Sequence, residues 1–405
     1  MKNILIWLDA RLPILSFWKE HFSEYYVPKN LNWYYVFGFL ALLVLCMQLV
    51  TGIWLTMFYT PTAEHAFDSI QYIMRDVPYG WLLRYVHSTG AAFIFIVIYL
   101  HMFRGLLYGS YQQPRELVWL LGMGLFCLLM LEAFCGYLLP WGQMSYWGAQ
   151  VMTALLSVVP YFGDTLVTWI RGDYAVSNVT LQRFFALHII GIPLLILILV
   201  WLHLVALHKV GANNPDGIEI KQHCDSGGKP LDGVPLYPHY TIKDSFGAVN
   251  FLLIFFAVVF FCPDMGGYFL SKDNFVLASP MVTPDNITPA WYFTPFYSML
   301  RAIPNKSMGV VTAISALGCL FFIPWLDRSP VRSMRYKGKY SRYMLLSGIV
   351  SFILLGILGV LEVTPLRQYL ARLCIVVYFA YFLLMPWYSG YEKYCVPPER
   401  SIDLL

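Results

Sequence analysis

The chain has 405 residues, of which 59% are hydrophobic, 18% aromatic and only 12% charged, with a formal net charge of +4 and a mean hydropathy of +0.60. Soluble domains carry about 25% charged residues. Half that density cannot cover a water-facing surface, which excludes a solution enzyme, a disulfide-stapled secreted scaffold and a disordered tail. The basic residues lie in connections between apolar runs rather than on one exposed face, so nucleic acid is not an expected partner.

In chain order, residues 1–32 come first, with an apolar and basic stretch from Ile4 to Trp18. Asp9, Arg11 and Pro13 interrupt it and Lys19 and Glu20 follow it, so the N-terminus shows no cleavable signal pattern; the stretch reads as an interfacial amphipathic helix, with a disordered arm as the alternative. Eight apolar runs follow, at about 33–59, 82–103, 117–138, 185–207, 246–262, 308–326, 343–361 and 370–388. Each approaches the ~20 residues a membrane helix needs. The expected fold is an all-α integral membrane protein with eight transmembrane helices. Two connections, 139–184 and 263–307, are too polar and too rich in Pro and Gly to span, yet long enough to carry function. These features divide the chain into 1–32, a four-helix region 33–209, a loop 210–245, and a C-terminal four-helix region 246–405.

Eighteen of the 27 Lys and Arg fall on the side that holds both termini. The positive-inside rule then puts both termini in the cytoplasm or its equivalent, and the two long loops on the opposite, positive side. The eight cysteines form no CxxC pair and read as small buried hydrophobes.

Four of the nine histidines lie inside spans: His87 and His101 in the second, His188 and His203 in the fourth. Ionisable groups at membrane depth need a reason. His87 and His101 are 14 residues apart. On a helix that returns to within about 40° of the same face, with a rise of about 21 Å. His188 and His203 are 15 apart, with Gly191 and Pro193 between them, and a proline kink is expected to absorb the extra residue. If the two helices face each other, two bis-imidazole sites stack across the bilayer, in the first four helices. Such sites suit low-spin haem iron; two histidines do not complete a zinc site.

Gly38 and Gly52 in the first span, and Gly122 and Gly136 in the third, repeat the 14-residue interval. Glycine there lets a flat macrocycle approach the backbone, although small residues are also common where membrane helices touch. Arg84 and Arg104 each lie three residues from a histidine, placed to pair with haem propionates or to mark the ends of the span. A transporter using the histidines as proton relays is the competing reading.

Specific stretches carry a resemblance. "RYVHSTGAAFIFIVIYLHMFRGLLYGSY" (84–111), "GYLLPWGQMSYWGAQV" (136–151), "RFFALH" (183–188), "LHKVGANNPDG" (207–217), "PHYTIKD" (238–244) and "WYFTPFYSMLRAIPNK" (291–306) resemble cytochrome b, the membrane subunit of cytochrome bc complexes. The likeness runs from about Trp33 to Tyr388. It implies a dihaem core of a proton-translocating quinol–cytochrome c reductase, with two haem b groups. His87 and His188 would hold the outer, low-potential haem, and His101 and His203 the inner, high-potential one. It also implies a Rieske iron–sulfur protein and a c-type cytochrome as partners, since this chain has no CxxCH motif, and a homodimer. Phe134, Tyr137, Trp147, Gly148 and Tyr292 match positions lining the family's quinol-oxidation site. His208, Lys243 and Asp244 match its quinone-reduction site, where proton donors are needed.

Two departures stand out. The 15-residue histidine interval differs from the 14 usual in mitochondrial members, so a bacterial inner membrane is expected, with the mitochondrial inner membrane as the alternative. The family's Pro-Glu-Trp-Tyr motif reads Pro289, Ala290, Trp291, Tyr292, and Ala290 cannot accept a proton. Glu132, a carboxylate inside the third span, is the expected substitute, then Asp285, then Asp273. If nothing substitutes, the chain would conduct electrons without a competent quinol-oxidation site.

Overall fold

A computed structural model describes residues 2–19 and 23–400. Among them eight helices are long and apolar enough to cross a membrane: Trp33–Thr56, Gly80–Tyr108, Glu116–Leu138, Asn178–Val210, Leu236–Phe261, Lys306–Leu326, Lys339–Val360 and Pro365–Leu383. Every apolar run is recovered. The helices outlast the runs where polar residues continue the same backbone, most clearly in the fifth, whose regular helix begins at Thr241 rather than near 246, after a break at Tyr237. The second ends at Gly109, whose φ of +65° lets its N–H reach the Gly105 carbonyl. That left-handed cap is natural only to glycine.

Apolar side chains on the outer surface explain why the fold needs lipid. Ile190, Leu194, Ile198, Trp201 and Val205 form an exposed stripe at helical spacing along the fourth span. Inside, the first span packs along the second and the third along the fourth. The last three spans enclose a short helix, Thr294–Ala302, whose Phe296 and Met299 are buried. Aromatic rings join the halves: Tyr99 of the second span meets Phe126 of the third at 5.7 Å and Phe352 of the seventh at 5.7 Å.

At one end, the N-terminal segment and alternate connections lock together. Tyr26–Pro28 pairs antiparallel with Gly233–Pro235. Glu219 bridges Arg115 and Arg332, Asp216 takes Arg335 and Asn30, and Arg400 reaches Asp232. Burial pushes the Glu219 carboxyl up, but the Arg115 and Arg332 guanidiniums outweigh it and hold the group below its usual range. At the other end the two long loops meet. The Asn274 side chain accepts the Ser145 N–H at 2.7 Å, and Trp147 donates to the Ser279 carbonyl at 3.2 Å.

The extra residue of the fourth span is absorbed by a widened turn. Leu187–Gly191 is π-helical, and the Ile192 N–H donates to Leu187, five residues back. A π turn inserts one residue into an α-helix. This corrects the expected proline kink: Pro193 follows the wide turn, at the first positions of a regular helix, Ile192–Val210, where its missing N–H costs little. Of the eight cysteines, all unbonded, Cys135 and Cys374 are buried, Cys127 and Cys319 half-buried, and Cys46, Cys224, Cys262 and Cys395 exposed. The expectation of buried cysteines therefore fails for those four; Cys46 lies on an apolar span, where its exposed face needs no polar partner.

Candidate functional site

Each membrane histidine lies against one of the four glycines. A Cβ added at Gly38 would fall 3.2 Å from Cε1 of His101, at Gly52 3.2 Å from Cε1 of His87, and at Gly122 3.3 Å from Cε1 of His203. At Gly136 it would come within 2.9 Å of both ring nitrogens of His188. The first span therefore seats the second-span imidazoles, and the third seats the fourth-span ones. The room that the sequence reserves for a macrocycle is taken, at these atoms, by imidazole.

The rings of His87 and His188 face each other with centroids 6.2 Å apart and planes at 89°. Two imidazoles each bound at ~2 Å to one metal ion put their centres about 6 Å apart. His203 lies near enough to His101 for their charges to interact, one stage along the bundle. Among the described residues no group of three or more His, Cys, Asp or Glu could hold a bare metal ion. A two-imidazole donor set fits an iron whose other positions a macrocycle fills. Arg84 and Arg104 are half-buried and, among the described residues, ion-pair with no carboxylate. Arg104 Nε has no hydrogen-bond partner, as a propionate partner would require.

The Nδ1 atoms have different neighbours. Thr51 Oγ1 lies 3.0 Å from His87 Nδ1; its proton goes to the Met47 carbonyl at 2.7 Å, leaving the oxygen to accept. His188 Nδ1 lies 3.1 Å from the Glu132 carbonyl and 3.0 Å from its carboxylate Oε1. Arg104 Nη2 stands 3.4 Å from His101 Nδ1. His203 Nδ1 faces the Val118 backbone without a well-formed hydrogen bond. Sequence spacing did not reveal the Glu132–His188 contact.

Between the second and third spans and the C-terminal helices lies a largely apolar cavity of about 680 Å³, lined by Tyr99, Phe126, Trp291, Tyr292, Pro295 and Phe296 among others. Of the residues expected at the quinol site, only Tyr292 lines it. Its ring stacks on Phe95 at 3.9 Å, and its carbonyl accepts the Tyr99 hydroxyl at 2.6 Å. Burial, with the Tyr137 hydroxyl nearby, holds the Tyr292 phenol above its ordinary range. Tyr137 lies beside the Asn274 side chain. Phe134 packs edge-on to Phe184 at 5.5 Å, and Trp147 packs in the same apolar cluster. Gly148 has open space where a Cβ would stand. Asp273 and Asp285 are exposed on the long loop. Trp291, Pro295 and Phe296, in the WYFTPFY segment that the resemblance places at the quinol site, line it as well, although none was singled out individually.

At the opposite end, the His208 ring lies 4.5 Å from that of Tyr25, and Lys243 Nζ sits 4.6 Å over the Tyr240 ring. Burial pushes the Tyr25 phenol up to about 12, with Arg115 opposing. Tyr240 donates to the Pro28 and Lys29 carbonyls, so residues 25–29 tie His208 to the helix carrying Lys243 and Asp244.

The fold and these pairs define a class: a multi-span helical membrane protein with histidines paired across its bundle. Residues 22–211 match the family model "Cytochrome b/b6/petB", and residues 277–379 match "Cytochrome b(C-terminal)/b6/petD". The chain is 54% identical over 404 residues to cytochrome b of Allochromatium vinosum, covering 98% of this chain and 97% of that one. It is 46% identical over 392 residues to cytochrome b of Rickettsia prowazekii, covering 96% and 95%. A solved structure titled "Hyperthermophilic respiratory Complex III" superposes with a TM-score of 0.89 at 38% identity, covering 95% of this chain and 98% of that one. The chain belongs to the cytochrome b family, and haem b is the cofactor that membership implies.

Proposed function

We propose that this chain is the dihaem core of a quinol–cytochrome c reductase in a bacterial inner membrane, with both termini cytoplasmic and the stretch from Ile4 to Trp18 lying along the membrane surface. The observation that carries the proposal is the set of four histidines, each seated on its own glycine, with His87 and His188 ring to ring across the bundle. His87 and His188 would hold the outer haem, and His101 and His203 the inner one. When bound, the two haems supply one-electron transfer across the membrane. Arg84 and Arg104 would bind their propionates.

The cavity beside Tyr292 takes the quinol ring and part of its tail. Tyr99 fixes the Tyr292 backbone, and Phe95 fixes its ring. Tyr292 keeps its proton, so it can donate a hydrogen bond to substrate but does not act as base. Ala290 supplies no carboxylate. Glu132 gives its carboxylate to His188, and none of Glu132, Asp285 and Asp273 lines the cavity. With Glu132 held at His188, Asp285 on the exposed outer loop is the candidate acceptor, reached only if the loop closes on substrate, with Asp273 next; Tyr137, Phe134, Trp147 and Gly148 shape the adjoining wall. At the inner end His208, Lys243 and Asp244 deliver protons to quinone. A Rieske protein and a c-type cytochrome receive the other electron, and the complex is a homodimer.

The alternative, an electron-conducting subunit without a competent quinol site, draws on Ala290 alone. The test is cytochrome c reduction by quinol, catalysed by the purified complex, with proton release measured alongside. Turnover with proton release supports the proposal. A complex that holds its haems but leaves quinol unoxidised supports the alternative.

A further inference from the structure

We infer that Glu132 lowers the reduction potential of the outer haem site through His188, and so adds to the inward drive on electrons. The inference rests on the ligand pairs proposed above and concerns a positioning residue, not a catalytic one.

The two sites are otherwise closely matched. Each has two imidazoles seated on glycine, and each has one half-buried arginine near it, Arg84 at the outer site and Arg104 at the inner. The difference is at Nδ1. At the outer site His188 faces a carboxylate oxygen at 3.0 Å, and the other oxygen, Oε2, is buried without a hydrogen-bond partner. At the inner site the corresponding His203 nitrogen has no well-formed bond, and His101 faces a guanidinium nitrogen at 3.4 Å.

A carboxylate accepting the ligand's N–H makes the imidazole a stronger donor. Its charge also favours the more positive, oxidised iron, in surroundings where little water screens it. Both effects lower the outer potential. A guanidinium beside the inner ligand acts in the opposite sense. Electrons delivered at the outer site then run inward.

The test is a redox titration of the purified complex carrying Glu132→Gln, with haems counted per chain. Glutamine keeps the shape and an acceptor oxygen but drops the charge. The outer midpoint should rise by at least a tenfold change in the reduction equilibrium, 59 mV for one electron, while the inner midpoint holds. Glu132→Leu should move it at least as far. Two haems present with the outer midpoint unmoved, or both midpoints moving together, overturns the inference. A wild-type complex without two b haems overturns the ligand reading itself and the inference with it. Should the variants fail to assemble, the wild type decides. The near-infrared charge-transfer band of the oxidised haems shifts to shorter wavelength as a ligand gains imidazolate character. The outer band should lie at shorter wavelength than the inner; coincident bands overturn the inference.

Discussion

Replacing Gly136 by alanine adds one methyl carbon against His188. That carbon would stand 2.9 Å from both ring nitrogens. Its nearest contact is Cε1 of His188, closer still; unstrained contacts need about 3.5 Å, so the ring must retreat by about 1 Å. A free imidazole would swing away cheaply. One held by iron on one side and by Glu132 on the other cannot, and overpacking of a fixed site costs about 1–3 kcal/mol. At Gly122 the same methyl stands 3.3 Å from His203, and about 0.2 Å of give suffices. At Gly148 it meets nothing within 4 Å. Pyridine haemochrome counts on the three purified variants read this series. Gly136→Ala should fall from two haems per chain toward one, with the outer spectrum lost or shifted. Gly122→Ala and Gly148→Ala should keep both. A Gly136→Ala complex with two haems and an unchanged outer spectrum refutes the seating of His188 on Gly136.

Three further predictions concern other parts of the molecule. His203→Ala should remove only the inner haem, read as loss of one optical midpoint while the other stays. Glu219→Gln should destabilise the inner face by about 3 kcal/mol, because Arg115, 2% exposed, loses its carboxylate. The Glu219 carboxyl is held below its usual range, so its contribution is present above the ordinary carboxylate pKa and is lost as pH falls through the lowered value. Thermal melts against pH should therefore lose that acid-side slope in the variant. Asp285→Asn should slow quinol oxidation by about 10²-fold; unchanged turnover removes Asp285 from the outer site.

Much of the fold was legible because membrane spans advertise themselves: an apolar run of that length has few other uses. The histidine pairs were legible because a helix repeats its faces, and 14 residues bring His87 and His101 to one side. The 15-residue interval was seen but given the wrong cause. A proline is visible in sequence, whereas a π turn leaves no residue signature, so Pro193 drew the explanation that belongs to Leu187–Gly191. Glu132 stood out as a carboxylate in a span, yet its partner lies 56 positions away on another helix, and only packing brings them together. The cavity was hidden for the same reason. Phe126 reads as core until two separately packed halves leave a gap between them.

The central claim is that these four histidines hold two haems in series. An optical redox titration of the purified complex, with b haem counted per chain, tests it most directly. The account predicts two b haems per chain and two resolved one-electron midpoints, the lower belonging to the site that His188 substitution removes. One haem per chain, or none, would contradict it and return the histidines to packing or proton relay.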